Sequence, residues 1–147
     1  MNYKHLAILL IIYQCNLLTN VQSLEVPKHM RSGAKKLTNL CIKETGATDD
    51  LFLEARETGK MPKDQRLKCF IHCILDKVGL IDADNVMHLD NLLEILPPEF
   101  VPIIEQLHTT CGTQSGADGC ETAFLTTECY INTNPLILKL LFSNISD

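Results

Sequence analysis

The chain has 147 residues, 46% of them hydrophobic but only 5% aromatic, with no tryptophan, and 18 acidic side chains against 13 basic ones. A formal net charge of −5 argues against a nucleic-acid partner. The length suits one compact domain.

At the N-terminus, Lys4 and His5 lead into the apolar run Leu6-Ala7-Ile8-Leu9-Leu10-Ile11-Ile12-Tyr13, and Val21-Gln22-Ser23 places short side chains where a cleavage site belongs. Residues 1–23 are therefore expected to be a secretory signal peptide. The run is too short for a membrane span, and Gln14, Asn16 and Asn20 interrupt the residues after it. Cleavage would remove Cys15 and Lys4, leaving one domain over residues 24–147 with 12 basic and 18 acidic side chains, a net charge of −6. That acidic surface favours solubility, and the interior should be mostly aliphatic.

Helical punctuation recurs along the rest of the chain. Pro27 opens a first helix carrying Met30, Ala34, Leu37, Leu40 and Cys41 and ending at Gly46. Thr48-Asp49-Asp50 caps a second that ends at Thr58-Gly59. Pro62 and Asp64 start a third, through Leu67, Phe70, Ile71, Ile74, Leu75 and Val78 to Gly79. Asp84-Asn85 is expected to cap a fourth helix, Val86–Leu96, stopped by Pro97-Pro98. A fifth covers Glu99–Thr110, with Pro102 in its first turn and Gly112 beyond its end. Asp118-Gly119 precedes a sixth, Cys120 to about Ile131. Asn134-Pro135 starts a last apolar segment, Leu136–Phe142, apolar on almost every side and so of a kind rarely left in water. No segment alternates as a strand would, so the fold class is all-α.

Six cysteines remain in the secreted part, at Cys41-x27-Cys69-x3-Cys73-x37-Cys111-x8-Cys120-x8-Cys129. In an oxidising compartment such a series is a disulfide framework. Cys69 and Cys73 share a helix face with parallel side-chain vectors, which disfavours a bond between them. Excluding that pair leaves twelve of fifteen connectivities open.

This spacing resembles the insect odorant-binding proteins of the pheromone-binding and general odorant-binding type. The resemblance extends to Lys68-Cys69-Phe70-Ile71-His72-Cys73, to Gly79-Leu80-Ile81-Asp82 with Met87-His88-Leu89, to Leu96-Pro97-Pro98, and to Cys111-Gly112-Thr113-Gln114 with Asp118-Gly119-Cys120. It covers roughly residues 26–134. The resemblance implies about six helices around one apolar cavity, with interlocked disulfides Cys41–Cys73, Cys69–Cys120 and Cys111–Cys129. It also implies a ligand-binding set of Leu75, Leu89, Leu92, Leu96, Phe100, Ile104, Leu107, Ala123, Phe124 and Tyr130. Periodicity agrees in part, since Leu89, Leu92 and Leu96 share one face of the expected fourth helix and Phe100, Ile104 and Leu107 one face of the fifth, although apolar stripes by themselves normally make ordinary core. Relatives that latch a C-terminal segment use a tyrosine hydroxyl just after the second cysteine; here Phe70 has none.

Other chemistry is thinly represented. His72 between Cys69 and Cys73 lacks zinc spacing, so no metal is expected. Asp82-Ala83-Asp84-Asn85 lacks the glycine and glutamate of a calcium loop and reads as capping. His88 reads as a solvated or core histidine rather than a ligand contact. Asn144-Ile145-Ser146 is a glycosylation sequon. No hydrolase, phosphate-loop or metalloprotease motif is present, and no cofactor or enzymatic activity is expected.

The leading expectation, carried by the resemblance, is a secreted carrier that takes small hydrophobic odorants or pheromones through sensory-hair lymph to an olfactory receptor. The rival is a disulfide-rich helical interaction factor, a homodimer or receptor ligand acting through its apolar C-terminal segment. A small secreted hydrolase is the third and lacks a nucleophile–base signature.

Overall fold

The computed structural model describes residues 28–142, apart from the side chains of His29 and Met30. The signal segment, Pro27 and the Asn144 sequon lie outside the described residues. Six α-helices and two 3₁₀ segments make up the described part. They are α1 (Lys28–Thr45), α2 (Asp49–Thr58), α3 (Gln65–Lys77), α4 (Val101–Cys111), α5 (Gly119–Thr133) and α6 (Leu136–Phe142).

The punctuation acts as physical chemistry requires. Gly46, Gly59 and Gly112 end α1, α2 and α4 with φ of 70°, 70° and 54°, a region a side chain disfavours. Asp64 caps α3 by accepting the Arg66 N–H, Asp118 caps α5 by accepting from Glu121, and the Asn134 side chain accepts from Leu136 at the start of α6. Thr48 sits at the cap position of α2, but its side chain makes no capping bond; Asp49 and Asp50 instead place negative charge at that helix start.

The expected fourth helix is the element the structure corrects. Asp82 Oδ1 accepts the N–H groups of Asp84 and Val86, Asn85 takes φ 61°, and Ile81 and Met87 form an isolated antiparallel bridge. The N–H of Met87 is taken by the Thr113 hydroxyl and that of His88 by the Leu80 carbonyl. With Asn85 left-handed, Met87 in a bridge and His88 at φ −121° and ψ 71°, the backbone here is held out of helical conformation, and no helix starts at Val86. Only Leu89–Glu94 coils, as a 3₁₀ segment, before Pro97-Pro98 ends it. The expected fifth helix likewise begins as a 3₁₀ turn at Pro98–Phe100, with α4 starting at Val101.

Helix α3 is the centre of the fold. It packs most extensively against α5 and next against α1, and its face buries Leu67, Phe70, Ile71, Cys73 and Leu75. Disulfides Cys41–Cys73 and Cys69–Cys120 tie α3 to α1 and α5, and Cys111–Cys129 ties α4 to α5. Lys68 pairs with Glu121 beside the second of these and lies over the Phe124 ring. A phenylalanine cluster closes the other side: Phe52 of α2 is 4.9 Å from Phe70 and 5.7 Å from Phe142, ring centre to ring centre.

Candidate ligand-binding site

An apolar cavity of about 450 Å³ lies between α1, α3 and α6, within the roughly 300–1,000 Å³ usual for small-molecule sites. Gly33, Ala34, Leu37 and Thr38 form the α1 wall, and Leu140, Leu141 and Phe142 form the α6 wall. Between them α3 supplies Phe70, Ile71, Ile74 and Leu75, with Val78 just past its end. The cavity meets solvent beside Gly33 and Val78, both exposed.

Each wall follows from local sequence. On α1, residues 34, 37, 38 and 41 recur at three-to-four spacing, so the face that carries Cys41 into its disulfide also turns Ala34, Leu37 and Thr38 inward. On α3, Phe70, Ile71, Ile74 and Leu75 form one stripe. Helix α6 is only seven residues long, too short to be stable alone. Its position comes from packing, with Phe142 1% exposed against Phe52 and Leu138, Leu140 and Leu141 half-buried. Phe70 packs against Phe52 with the two rings tilted by 58° and lines the cavity.

Of the ten side chains named in the sequence as ligand-binding, Leu75 is in this lining. Leu89, Phe100 and Leu107 are buried in the core, and Leu92 and Leu96 pack half-buried against it. Ala123 and Phe124 are buried on α5, and buried Tyr130 donates its hydroxyl to the Gly112 carbonyl at 3.3 Å. Burial raises the Tyr130 pKa well above the ordinary phenol value. Ile104 is buried and forms one wall of a separate depression of about 270 Å³, with Asp90, Leu93, Glu105, His108 and Thr109. The α1 and α6 walls were missing from that set. Their signals were the apolar stripe on the first helix and a tail with no polar face.

His88 lies outside the cavity and pairs with Asp82, Nε2 to Oδ2 at 2.8 Å. That bond first, and the Val86 and Asp84 N–H groups with it, hold the Asp82 carboxyl below the usual range. Among the described residues no cluster of metal-ligating side chains occurs, and no helix is long and apolar enough to cross a membrane.

Residues 23–133 match the PBP/GOBP family model. The chain is 41% identical over 126 residues to General odorant-binding protein 69a of Drosophila melanogaster, spanning 86% of this chain and 84% of that one. The crystal structure of the medfly odorant-binding protein CcapOBP22/CcapOBP69a is similar, at 84% identity and a TM-score of 0.74 over 78% of this chain and 99% of that chain. Odorant Binding Protein 7 from Anopheles gambiae, with four disulfide bridges and in complex with an azo compound, is 34% identical at a TM-score of 0.73, over 78% and 94% of the two chains. Sequence, helical fold and three disulfides agree: the chain belongs to the PBP/GOBP family of odorant-binding proteins.

Proposed function

We propose that this protein is a secreted carrier that encloses a small hydrophobic odorant between α1, α3 and α6 and transports it through aqueous fluid toward a receptor. The observation that carries the reading is the apolar cavity of about 450 Å³, supported by family membership and by a ligand complex in a related structure. Its twelve described lining residues offer apolar surface and one hydroxyl and include no charged or acid–base side chain, a wall suited to reversible burial rather than to bond cleavage. At roughly 25 cal/mol per Å² of apolar area, a volatile of modest size would bind in the micromolar range. The signal-like residues 1–23 support export. Cys41–Cys73 ties two of the three walling helices together and the other two disulfides brace the rest of the body, so an incompletely filled interior is tolerated.

Enhancement of a fluorescent apolar probe, followed by displacement with odorants, tests the proposal. Leu75→Trp should abolish the signal with helical content retained, while Leu92→Trp, on the half-buried 3₁₀ segment, should leave it. The reverse pattern would move the site under residues 89–96.

A further inference from the structure

We propose that Thr38 is the polar anchor of the cavity, so that the preferred guest is a neutral aliphatic molecule with one oxygen, and the matching carboxylate is rejected. The inference rests on the carrier reading and adds the ligand's chemical class.

Among the described residues, Thr38 is the one lining residue with a polar side chain. It is 8% exposed on α1, and its hydroxyl makes no hydrogen bond to a described residue. Thr122 and Thr126, also buried, behave differently: their hydroxyls accept the N–H groups of Gly116 and Gln114. No sealed side-chain polar atom lacks a partner among the described residues, so the Thr38 oxygen keeps accessible surface, on a residue that forms part of the cavity wall.

A helical threonine can also turn its hydroxyl back to the carbonyl four residues earlier, here that of Ala34. Wholly apolar guests are therefore tolerated, whereas a guest oxygen that pairs with Thr38 gains the net value of one hydrogen bond, about twofold to tenfold in affinity. An anion meets the opposite balance. Among the described residues no lining side chain is cationic, and Arg31 and Lys35 of α1 are exposed and outside the lining. A carboxylate drawn inside would lose its hydration without a counter-charge.

The test is displacement of N-phenyl-1-naphthylamine at neutral pH by dodecanol and by dodecanoate, on the wild-type chain and on Thr38→Val and Thr38→Ser. Dodecanol should compete at least tenfold better than dodecanoate on the wild type. Thr38→Val should weaken dodecanol about twofold to tenfold with probe affinity retained, and Thr38→Ser should restore it. Equal competition by alcohol and carboxylate, or an unchanged dodecanol constant in Thr38→Val, would overturn the anchor while probe binding still upheld the carrier. Absence of probe binding to the wild type would instead refute the carrier reading itself.

Discussion

Phe142 makes the most direct test of how the cavity is closed. Its ring is 1% exposed, packs 5.7 Å from Phe52 and forms part of the wall. Phe142→Ala removes a buried aromatic side chain worth about 1.5–3 kcal/mol and a ring pair worth about 0.5–1.5 kcal/mol. The combined loss is about 2–4.5 kcal/mol. Because α6 is seven residues long and none of the three disulfides reaches it, this loss should appear as detachment of α6 rather than unfolding of the body. At 1.4 kcal/mol per factor of ten, the open population should rise roughly 30-fold to a thousand-fold or more. Amide hydrogen exchange over 136–142 and probe release by stopped flow would both accelerate, while exchange in α3 stays slow. Leu136→Ala, at a 46% exposed position of the same helix, is the control and should change little. Unchanged α6 exchange and release in Phe142→Ala, with a fall in the midpoint of global unfolding, would refute a detachable wall and make Phe142 ordinary core.

Three further outcomes are expected. Loop-closure entropy ranks the disulfides by sequence separation: replacing Cys69 and Cys120, 51 apart, by serine should cost about 4 kcal/mol, and replacing Cys111 and Cys129, 18 apart, about 3 kcal/mol, in urea unfolding; the reverse order would reject that origin. Tyr130 is the one tyrosine in residues 24–147, so the phenolate absorbance of that chain reports it alone. Its raised pKa gives stability that is complete below pH about 10 and declines as pH rises toward the folded value, so ionisation should coincide with alkaline unfolding; a smooth titration near pH 10 in the folded state would contradict the burial. The depressed Asp82 pKa gives the opposite sign: its contribution is present above pH about 3.9 and is lost as pH falls through the lower folded value. Carbon NMR should show Asp82 titrating below the ordinary carboxylate range, shifted toward it in His88→Ala; no change there would remove His88 as the main cause.

Most of the helical framework was legible in the residues because its signals are local. Asp64, Asp118 and Asn134 mark starts, and Gly46, Gly59 and Gly112 mark stops, through capping and left-handed backbone that depend on a few neighbours. The disulfide pairs were expected from the family resemblance, and the structure has them; spacing alone left twelve choices, because a bond between distant helices depends on how they pack.

Residues 86–96 show where local reading fails. Their composition suits a helix, yet the bridge between Ile81 and Met87 and the bond from the Met87 N–H to the Thr113 hydroxyl, 26 residues away, hold the backbone out of helical conformation. The place of the cavity was legible only in part, through Leu75, for the same kind of reason. An apolar stripe says only that a face is covered, and Leu107 and Phe124 face packed core while Leu37 and Ile74 face open space. Sequence by itself determined the helical class, the family and the local ends of most helices. Tertiary structure decided which apolar faces meet and which remain apart, because a cavity is a property of how helices from distant parts of the chain are spaced, and no single stripe encodes that spacing.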